Sequence, residues 1–394
     1  MTLIKKSFPL FLYLSIFGCS PAVMVPPANE PLDSIAWQSC ATKATDREGR
    51  ALIDDLTMDS KTLLCKAVVL AGDEKNIDEA IEMLDEAAVR DKLDHRAYYM
   101  AGRILATAGR YEEAFSYFRR SQKRYPQMEV PLLRLAKKVL DANGEDEALR
   151  FVEKACKSDN CSFDTNAFLA SLYLKVQRVE DAEVLYKKMA KENPDSPIPY
   201  SGLAKMSNST NDFKSEIEYL NSATNSKGFL ELSNDNKASM YYSLAFACYN
   251  NEDYQQAKEA IDNALQLGDS ASWYLLSGWI INNLGDPAMA SIKFTRAIEI
   301  DKKLAPAYAG LGDTNLTLGQ TKKAIDAYKQ AIFYDPLNPI YKLKLAKSYA
   351  KDNNIEQAKT LLSDAIKTGK NNIPQDLIIE VSTAIANIPV SSPK

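Results

Sequence analysis

The residues best suited to chemistry in this 394-residue chain are its six cysteines. Cys156 and Cys161 stand five positions apart at the end of a predicted helix, so oxidation of the two thiols would close a small ring there. Cys40 could pair with Cys65 and hold the start of the chain to its first helices. Two free thiols are the alternative for each pair. Cys248 falls among core-facing positions, which predicts a buried and inert thiol.

The other residue types give little basis for catalysis. The single histidine, His95, excludes histidine acid–base pairs and multi-histidine metal sites within one chain, and we expect it at the surface. The sequence has no phosphate-binding glycine loop and no common hydrolase motif. We therefore predict no catalytic residue, no metal and no cofactor. A net charge of −4 and a pI near 5.4 argue against nucleic-acid binding.

Residues 1–18 have the layout of a secretory signal peptide: two lysines, an apolar run over 8–17, and then small residues. The run is too short to span a bilayer. Residues 16–19 resemble the lipobox of bacterial lipoproteins, which implies cleavage before Cys19 and attachment of lipid, such as palmitate, to that cysteine. Ser20 at the next position implies sorting to the outer membrane, facing the periplasm. An ordinary signal peptide or a short uncleaved anchor is the alternative.

A proline-rich segment, 19–32, predicts an extended tether. Beyond it small residues recur at intervals of 34 nearly everywhere, with one slip of seven positions between Ala204 and Ala245. One set comprises Gly102, Ala136, Ala170, Ala204, Ala245, Gly278, Gly312 and Ala346. A second set comprises Ala80, Ala114, Ala148, Ala182, Ala257, Ala290, Ala324 and Ala358, and Glu216 interrupts it. A large apolar residue follows each member of the second set after four positions, as Tyr328 follows Ala324.

Within one interval the recurring residues are three or four positions apart, as Ala324, Tyr328 and Ala331 are, which places them on one face of a helix. Turns such as the one at Gly319 separate the helices. Each interval is therefore a helical hairpin. Two antiparallel helices approach closely only where the residues at their crossing are small. Large residues such as Tyr328 then fill the gap to the next hairpin. The pattern predicts an all-α protein built from stacked helical hairpins.

The interval 305–338 carries the most complete pattern, formed by Tyr308, Leu311, Gly312, Ala324, Tyr328, Ala331 and Pro336. This pattern resembles the signature of the tetratricopeptide repeat (TPR), from which Asn315 departs because a tyrosine is usual there. The resemblance implies a TPR α-solenoid, a right-handed superhelix of about nine hairpins. The predicted segments are capping helices at 33–60, hairpins one to five at 61–230, an insertion at 231–237, hairpins six to nine at 238–372, and a capping helix and tail at 373–394.

In TPR proteins the first helix of each hairpin lines an inner groove, so the resemblance implies two candidate partner-binding zones. The basic zone, suited to an acidic peptide or a C-terminal carboxylate, comprises Arg96, Tyr99, Arg103, Arg134 and Lys137. The aromatic zone, suited to an apolar helix or an extended segment, comprises Tyr242, Phe246, Tyr249, Leu275, Leu276, Trp279 and Asn282. The alternatives are a solvated basic stripe and aromatic residues that pack against neighbouring hairpins.

These features together predict a non-enzymatic scaffold that is lipid-anchored at the outer membrane and binds other envelope proteins. The layout is similar to that of outer-membrane lipoproteins that help to assemble pili or secretion machines, and this role is our first expectation. An adaptor that recruits peptidoglycan enzymes or outer-membrane biogenesis factors is the alternative. The paired lysine and asparagine clamp of chaperone-binding TPR proteins is not reproduced, and the oligomeric state stays open.

Overall fold

The computed structural model describes residues 36–37, 60–127, 130–158, 161–369 and 373–387. Within these ranges the regular structure is helical, and no strand is present. None of the helices in this part of the chain is both long and apolar enough to cross a bilayer. The predicted signal peptide, Cys19, the tether and Cys40 lie outside the described residues, as do most of the predicted N-terminal capping segment and the end of the tail.

The chain divides into two compact units, 1–172 and 173–394. The helices of unit 1 are α1 (Ser60–Leu70), α2 (Ile77–Arg90), α3 (Arg96–Thr107), α4 (Tyr111–Arg124), α5 (Leu132–Asn143), α6 (Glu145–Ser158) and α7 (Phe163–Lys175), whose last residues belong to unit 2. Consecutive helices pack pairwise, with α1 on α2, α3 on α4 and α5 on α6. A one-turn 3-10 helix, Glu74–Asn76, precedes α2.

Unit 2 continues the same alternation. Its helices are α8 (Val179–Glu192), α9 (Pro197–Ser209), α10 (Phe213–Thr224), α11 (Asn234–Asn250), α12 (Tyr254–Leu267), α13 (Ala271–Asn283), α14 (Pro287–Ile300), α15 (Ala305–Thr317), α16 (Thr321–Tyr334), α17 (Pro339–Lys351), α18 (Ile355–Gly369) and α19 (Gln375–Ala386). We number hairpins by consecutive helix pairs, so hairpin seven is α13–α14. The predicted all-α TPR fold is confirmed, and α19 packs on the last hairpin.

The turns inside hairpins two to nine are short because one residue in each adopts a left-handed backbone conformation. Gly319, between α15 and α16, has φ +73°, and Glu252 and Asn353 have φ of 62° and 61° in the corresponding turns. Aspartates then cap the second helices: Asp253 accepts a hydrogen bond from the Gln256 amide, and Asp286 from the Met289 amide. The chain therefore reverses within a few residues, and the two helices of a hairpin lie side by side.

Glycines mark the closest helix crossings. A β-carbon added at Gly312 would lie 2.6 Å from the Tyr328 ring, so these two helices approach as closely as the small residue allows. In hairpin seven the Phe294 ring is just as close to Gly278 of its own hairpin and also to Gly310 of the next. The large residues therefore pack against the crossing of their own hairpin, and not only into the gap between hairpins.

Two departures from the repeat are ordered parts of unit 2. The segment before α11 forms a 3-10 turn, Lys227–Glu231, that buries Phe229 against Tyr241, with ring centroids 5.2 Å apart. Glu216 replaces the usual alanine, is 3% exposed, and accepts hydrogen bonds of 3.1 and 3.0 Å from the Asn208 amide. Glu216 therefore places a carboxylate in a position that other hairpins fill with a methyl group.

Candidate functional site

The first helices of the hairpins in unit 2 form one wall. Helix α11 contacts α13, α13 contacts α15, and α15 contacts α17. We call the row of side chains across this wall the inner face; it comprises Tyr242, Phe246, Leu275, Trp279, Asn282, Asp313 and Lys344. The row therefore crosses four first helices in succession.

The aromatic zone divides into exposed and packed members. Phe246 is 40% exposed, whereas the Tyr242 ring stacks on Trp273 at 6.4 Å and the Tyr249 ring meets Tyr254 at 5.8 Å. Burial raises the pKa of both Tyr242 and Tyr249, so these phenols stay protonated. Phe246 is therefore the exposed ring of these three, while the two tyrosines pack within the wall.

Helix α13 shows the same division. Trp279 is half-buried, with its ring edge-on to Phe294 at 5.0 Å, and Asn282 is half-buried one turn further along the helix. Leu275 is partly buried against the same cluster. Leu276 differs from the prediction for the groove: it is 6% exposed and belongs to the core between hairpins six and seven. Adjacent residues on a helix point about 100° apart, so Leu275 and Leu276 cannot both face the groove.

A polar network that the sequence does not reveal continues the inner face beyond Trp279. The Lys344 ammonium lies 5.7 Å from the centre of the Trp279 ring and donates a 2.5 Å hydrogen bond to Asp313. The Tyr328 hydroxyl donates to the other Asp313 oxygen at 2.5 Å. Burial, with the Asp313 charge, raises the pKa of Tyr328, so its hydroxyl remains a donor. One end of the inner face is thus aromatic and the other is charged.

Unit 1 contains a separate surface pocket of about 930 Å³. We call it the basic pocket; its lining includes Arg134, Lys137 and Lys138 of α5, Phe115 of α4, and Cys161 in the segment before α7. The three basic side chains are exposed and make no ion pair or hydrogen bond in the described part of the chain. Asp141 and Asp164 also line the pocket, so its lining has a net excess of one positive charge.

The remaining members of the predicted basic zone do not line this pocket. Arg96 forms a bidentate pair with Asp94, with its shortest contact 2.6 Å. Burial alone would raise the pKa of Asp94, but hydrogen bonds and charge from Arg96 lower it. The Tyr99 ring meets Phe118 edge-on at 5.3 Å, and Arg103 lies 3.9 Å from the Met100 sulfur. The structure therefore brings Arg134 and Lys137 together and gives Arg96 and Tyr99 internal partners.

His95 is half-buried and not simply at the surface, because its ring stacks on Tyr125 at 4.7 Å. Burial lowers the pKa of this imidazole, which favours the neutral form. Within the described residues, no group of three or more histidine, cysteine, aspartate or glutamate side chains could hold a metal ion.

The cysteines take distinct roles in the structure. Cys156 and Cys161 form a disulfide with their α-carbons 5.3 Å apart, and the bond ties the end of α6 to the segment before α7. Because Cys161 also lines the basic pocket, this crosslink fixes part of the pocket wall. Cys65 is disulfide-bonded, while Cys40, its predicted partner, lies outside the described residues. Cys248 is a free, fully buried thiol, and burial raises its pKa to about 12.

Three segments of the chain match models described as tetratricopeptide repeat, over 66–129, 238–267 and 315–375. The TPR repeat-containing protein MJ1428 of Methanocaldococcus jannaschii is 22% identical over 269 residues, which cover 65% of this chain and 47% of that protein. Small glutamine-rich tetratricopeptide repeat-containing protein 2 of Mycosarcoma maydis is 30% identical over 98 residues, covering 25% of this chain and 28% of that protein. The matched region therefore spans less than half the length of either relative.

Solved structures are also similar at low identity. A tetratricopeptide repeat protein from Parabacteroides merdae is 13% identical with a TM-score of 0.44, and 65% of this chain covers 98% of it. The pilF structure of Pseudomonas aeruginosa is 16% identical with a TM-score of 0.44, and 57% of this chain covers 96% of it. Neither likeness bears on what this chain binds. The family matches show that the chain contains tetratricopeptide repeats, a type of repeat that serves as a scaffold for protein–protein interaction.

Proposed function

We propose that this chain, with its tetratricopeptide repeats, is a lipid-anchored periplasmic scaffold that holds a partner protein on the inner face of unit 2. The observation that carries the proposal is the row formed by Phe246, Trp279, Asp313 and Lys344 across four consecutive first helices. Exposed aromatic rings supply much of the binding energy at protein interfaces, and flanking polar groups set the orientation of the partner. This surface suits a partner helix or extended segment with an apolar stretch followed by charged residues.

The basic pocket of unit 1 adds a second kind of contact. Arg134 and Lys137 are exposed and without ion pairs in the described residues, so a carboxylate from a partner would gain charge-assisted hydrogen bonds there. Phe115 in the same pocket offers an aromatic surface beside them. An acidic peptide segment or a C-terminal carboxylate fits this combination.

The place of action in this proposal follows from the start of the sequence, where Cys19 ends a segment similar to a lipobox. A lipid at Cys19 and the tether after it would hold the repeats close to the outer membrane, within reach of envelope machines. Assembly of a pilus or a secretion machine is the role we propose first, with recruitment of peptidoglycan enzymes as the competing role. Loss of surface pili in a deletion strain, with normal cell shape, would favour the first role; altered shape with normal pili would favour the second.

Crosslinking in intact cells tests the inner face directly. A photoreactive amino acid at position 246 should capture a defined envelope protein, and the double change Phe246→Ala with Trp279→Ala should reduce co-purification of that protein at least several-fold. Phe333→Ala is the matched control, because Phe333 is 73% exposed in the same unit but lies on a second helix, away from the inner face. Circular dichroism should show unchanged helix content in all variants. Equal capture by the double variant and the wild type would refute this assignment.

A further inference from the structure

A surface cavity, separate from the inner face and from the basic pocket, lies where α14, α15 and α16 meet in unit 2. Its volume is about 680 Å³, within the range typical of ligand-binding sites. We call it the Asn315 cavity; its lining includes Ser291, Tyr308, Leu311, Asn315, Lys323 and Ala327. None of the inner-face residues lines it. The cavity therefore cannot be a part of the partner-binding row described above.

Asn315 gives the cavity its chemical character. The residue is 6% exposed, and its side-chain amide has no hydrogen-bond partner among the described residues, although its backbone carbonyl accepts a 2.8 Å hydrogen bond from Gln320. Asn315 is not among the buried side-chain polar atoms that lack a partner, so its amide atoms remain accessible from the cavity. The Asn315 amide therefore offers a donor and an acceptor to whatever enters the cavity.

The repeat itself shows what shape of group fits this position. One interval before Asn315 the chain carries Ile281, which is 5% exposed, and one interval after it the chain carries Tyr349. The Tyr349 ring packs against the cores of the last two hairpins, with the Lys329 ammonium 5.8 Å from its centre. An asparagine is much shorter than a tyrosine, and at position 315 the shorter side chain lines a cavity.

Because a cavity lies beside Asn315 and the next repeat has a tyrosine at the corresponding position, we infer that the Asn315 cavity binds a tyrosine side chain of a partner protein. This side chain would replace the ring that the repeat lacks at position 315. Leu311 and Ala327 in the lining provide apolar surface for such a ring, and Tyr308 provides an aromatic neighbour. The phenol hydroxyl both donates and accepts a hydrogen bond, as the Asn315 amide does. Phenylalanine would fill the same space but leave the amide unsatisfied, so the cavity should prefer tyrosine.

Ligand-observed NMR with N-acetyl-tyrosinamide and N-acetyl-phenylalaninamide tests this inference on the full chain. The tyrosine probe should bind saturably and about fivefold more tightly than the phenylalanine probe, the ratio expected for one additional hydrogen bond. Asn315→Ala keeps the cavity but removes the amide, so it should abolish the preference for tyrosine. Asn315→Tyr fills the cavity with the residue found at position 349 and should prevent binding of both probes while raising the melting temperature.

Three results would overturn the inference: no binding of the tyrosine probe to the wild type, an unchanged preference in Asn315→Ala, or undiminished binding in Asn315→Tyr. The single variant Phe246→Ala serves as the control, because it alters the inner face on α11, which does not line the cavity, and should leave probe binding unchanged. Loss of partner capture in that variant, with probe binding intact, would show that the two surfaces act separately. The failure of one proposal is therefore distinguishable from the failure of the other.

Discussion

Lys344 donates a 2.5 Å hydrogen bond to Asp313 and so joins hairpin nine to hairpin eight. Both side chains are about one quarter exposed, which limits their screening by water. In hairpin two, the position that corresponds to Asp313, directly after the recurring small residue, holds Arg103. In hairpin three, the position that corresponds to Lys344, two residues before the small residue, holds Arg134. An acid–base pair in one part of the chain thus corresponds to two arginines in another, and Arg134 lines the basic pocket.

Replacing Asp313 by alanine should lower the free energy of unfolding by about 1–3 kcal/mol, because Lys344 and the Tyr328 hydroxyl both lose their acceptor in a half-buried place. Tyr328→Phe removes one of the two donors and should cost about 1 kcal/mol. Urea denaturation followed by circular dichroism measures both changes. If Asp313→Ala proves no more harmful than Tyr328→Phe, the lysine contact contributes nothing to stability.

Glycine at position 312 should not tolerate even a methyl group. Its β-carbon would lie 2.6 Å from the Tyr328 ring, so Gly312→Ala should cost about 1–3 kcal/mol through overpacking. The double variant Gly312→Ala with Tyr328→Leu should lose less stability than the sum of the two single variants, because the smaller side chain makes room for the methyl group. Chemical denaturation of both single variants and the double variant gives the coupling energy. Strictly additive losses would show that the two residues do not press on each other.

Glu216 should make stability depend on pH. Burial raises the pKa of this carboxyl above its ordinary value of 4.5, so the folded state favours the protonated form. The stabilising contribution of the protonated form is complete below pH 4.5 and is lost as the pH rises through the raised pKa. At pH 7 we therefore expect Glu216→Gln to be about 1–3 kcal/mol more stable than the wild type.

Thermal unfolding between pH 4 and pH 8 measures this difference, which should shrink as the pH falls. Glu218→Gln is the control, because Glu218 is exposed on the same helix and should show no such trend. A wild type that loses stability relative to Glu216→Gln on acidification would have the opposite sign and would contradict the assignment.

Reversing charges in the basic pocket should weaken binding of an acidic peptide. Hexaglutamate is a suitable probe, and Arg134→Glu with Lys137→Glu should reduce its affinity by about tenfold or more, since each change turns an attraction into a repulsion. Added salt should weaken binding to the wild type as well. Lys92→Glu alters an exposed lysine that does not line this pocket and should have little effect. If the affinity for hexaglutamate changes neither with the charge reversal nor with added salt, the pocket is not an electrostatic binding site.

Removing the short disulfide should loosen the wall of the basic pocket. The paired change Cys156→Ser with Cys161→Ser opens a ring of few residues and should cost about 2 kcal/mol by the loop-entropy estimate. The paired serines are preferable to a reductant, because a reductant would also break the disulfide of Cys65. Hydrogen exchange at the end of α6 and the start of α7 should increase in this variant. Unchanged exchange there would show that packing alone holds the segment.

Much of the fold follows from residue spacing. Gly312 and Ala324, on the two helices of one hairpin, predict a close helix crossing because small residues let two helix backbones approach each other, and the structure places the Tyr328 ring against that crossing. The hairpin turns are predicted at glycines such as Gly319, but the corresponding residue before α12 is Glu252, which adopts the same backbone conformation without a glycine signal. The spacing of small and large residues therefore predicts the helices, whereas the conformation of a turn such as that at Glu252 depends on the packing of the helices that it joins.

The candidate surfaces were less predictable, because exposure depends on neighbours that are distant in sequence. Leu276 and Trp279 look equally suited to a groove, yet Leu276 lies in the core and Trp279 remains half-exposed. Asp313 and Lys344 become a pair only when hairpins eight and nine stack. Asn315 is visible in the sequence as a departure from the repeat, but the cavity beside it requires knowledge of α14 and α16.

The Phe294 ring limits which hairpins can be exchanged in this region of the chain. Its ring lies against Gly278 in hairpin seven and also against Gly310 in hairpin eight. A duplication or exchange that moved hairpin eight alone would separate the ring from a glycine that it requires, and most other residues at position 310 would collide with it. An exchanged hairpin eight should therefore pack on hairpin seven only if it also carries glycine at the position of Gly310.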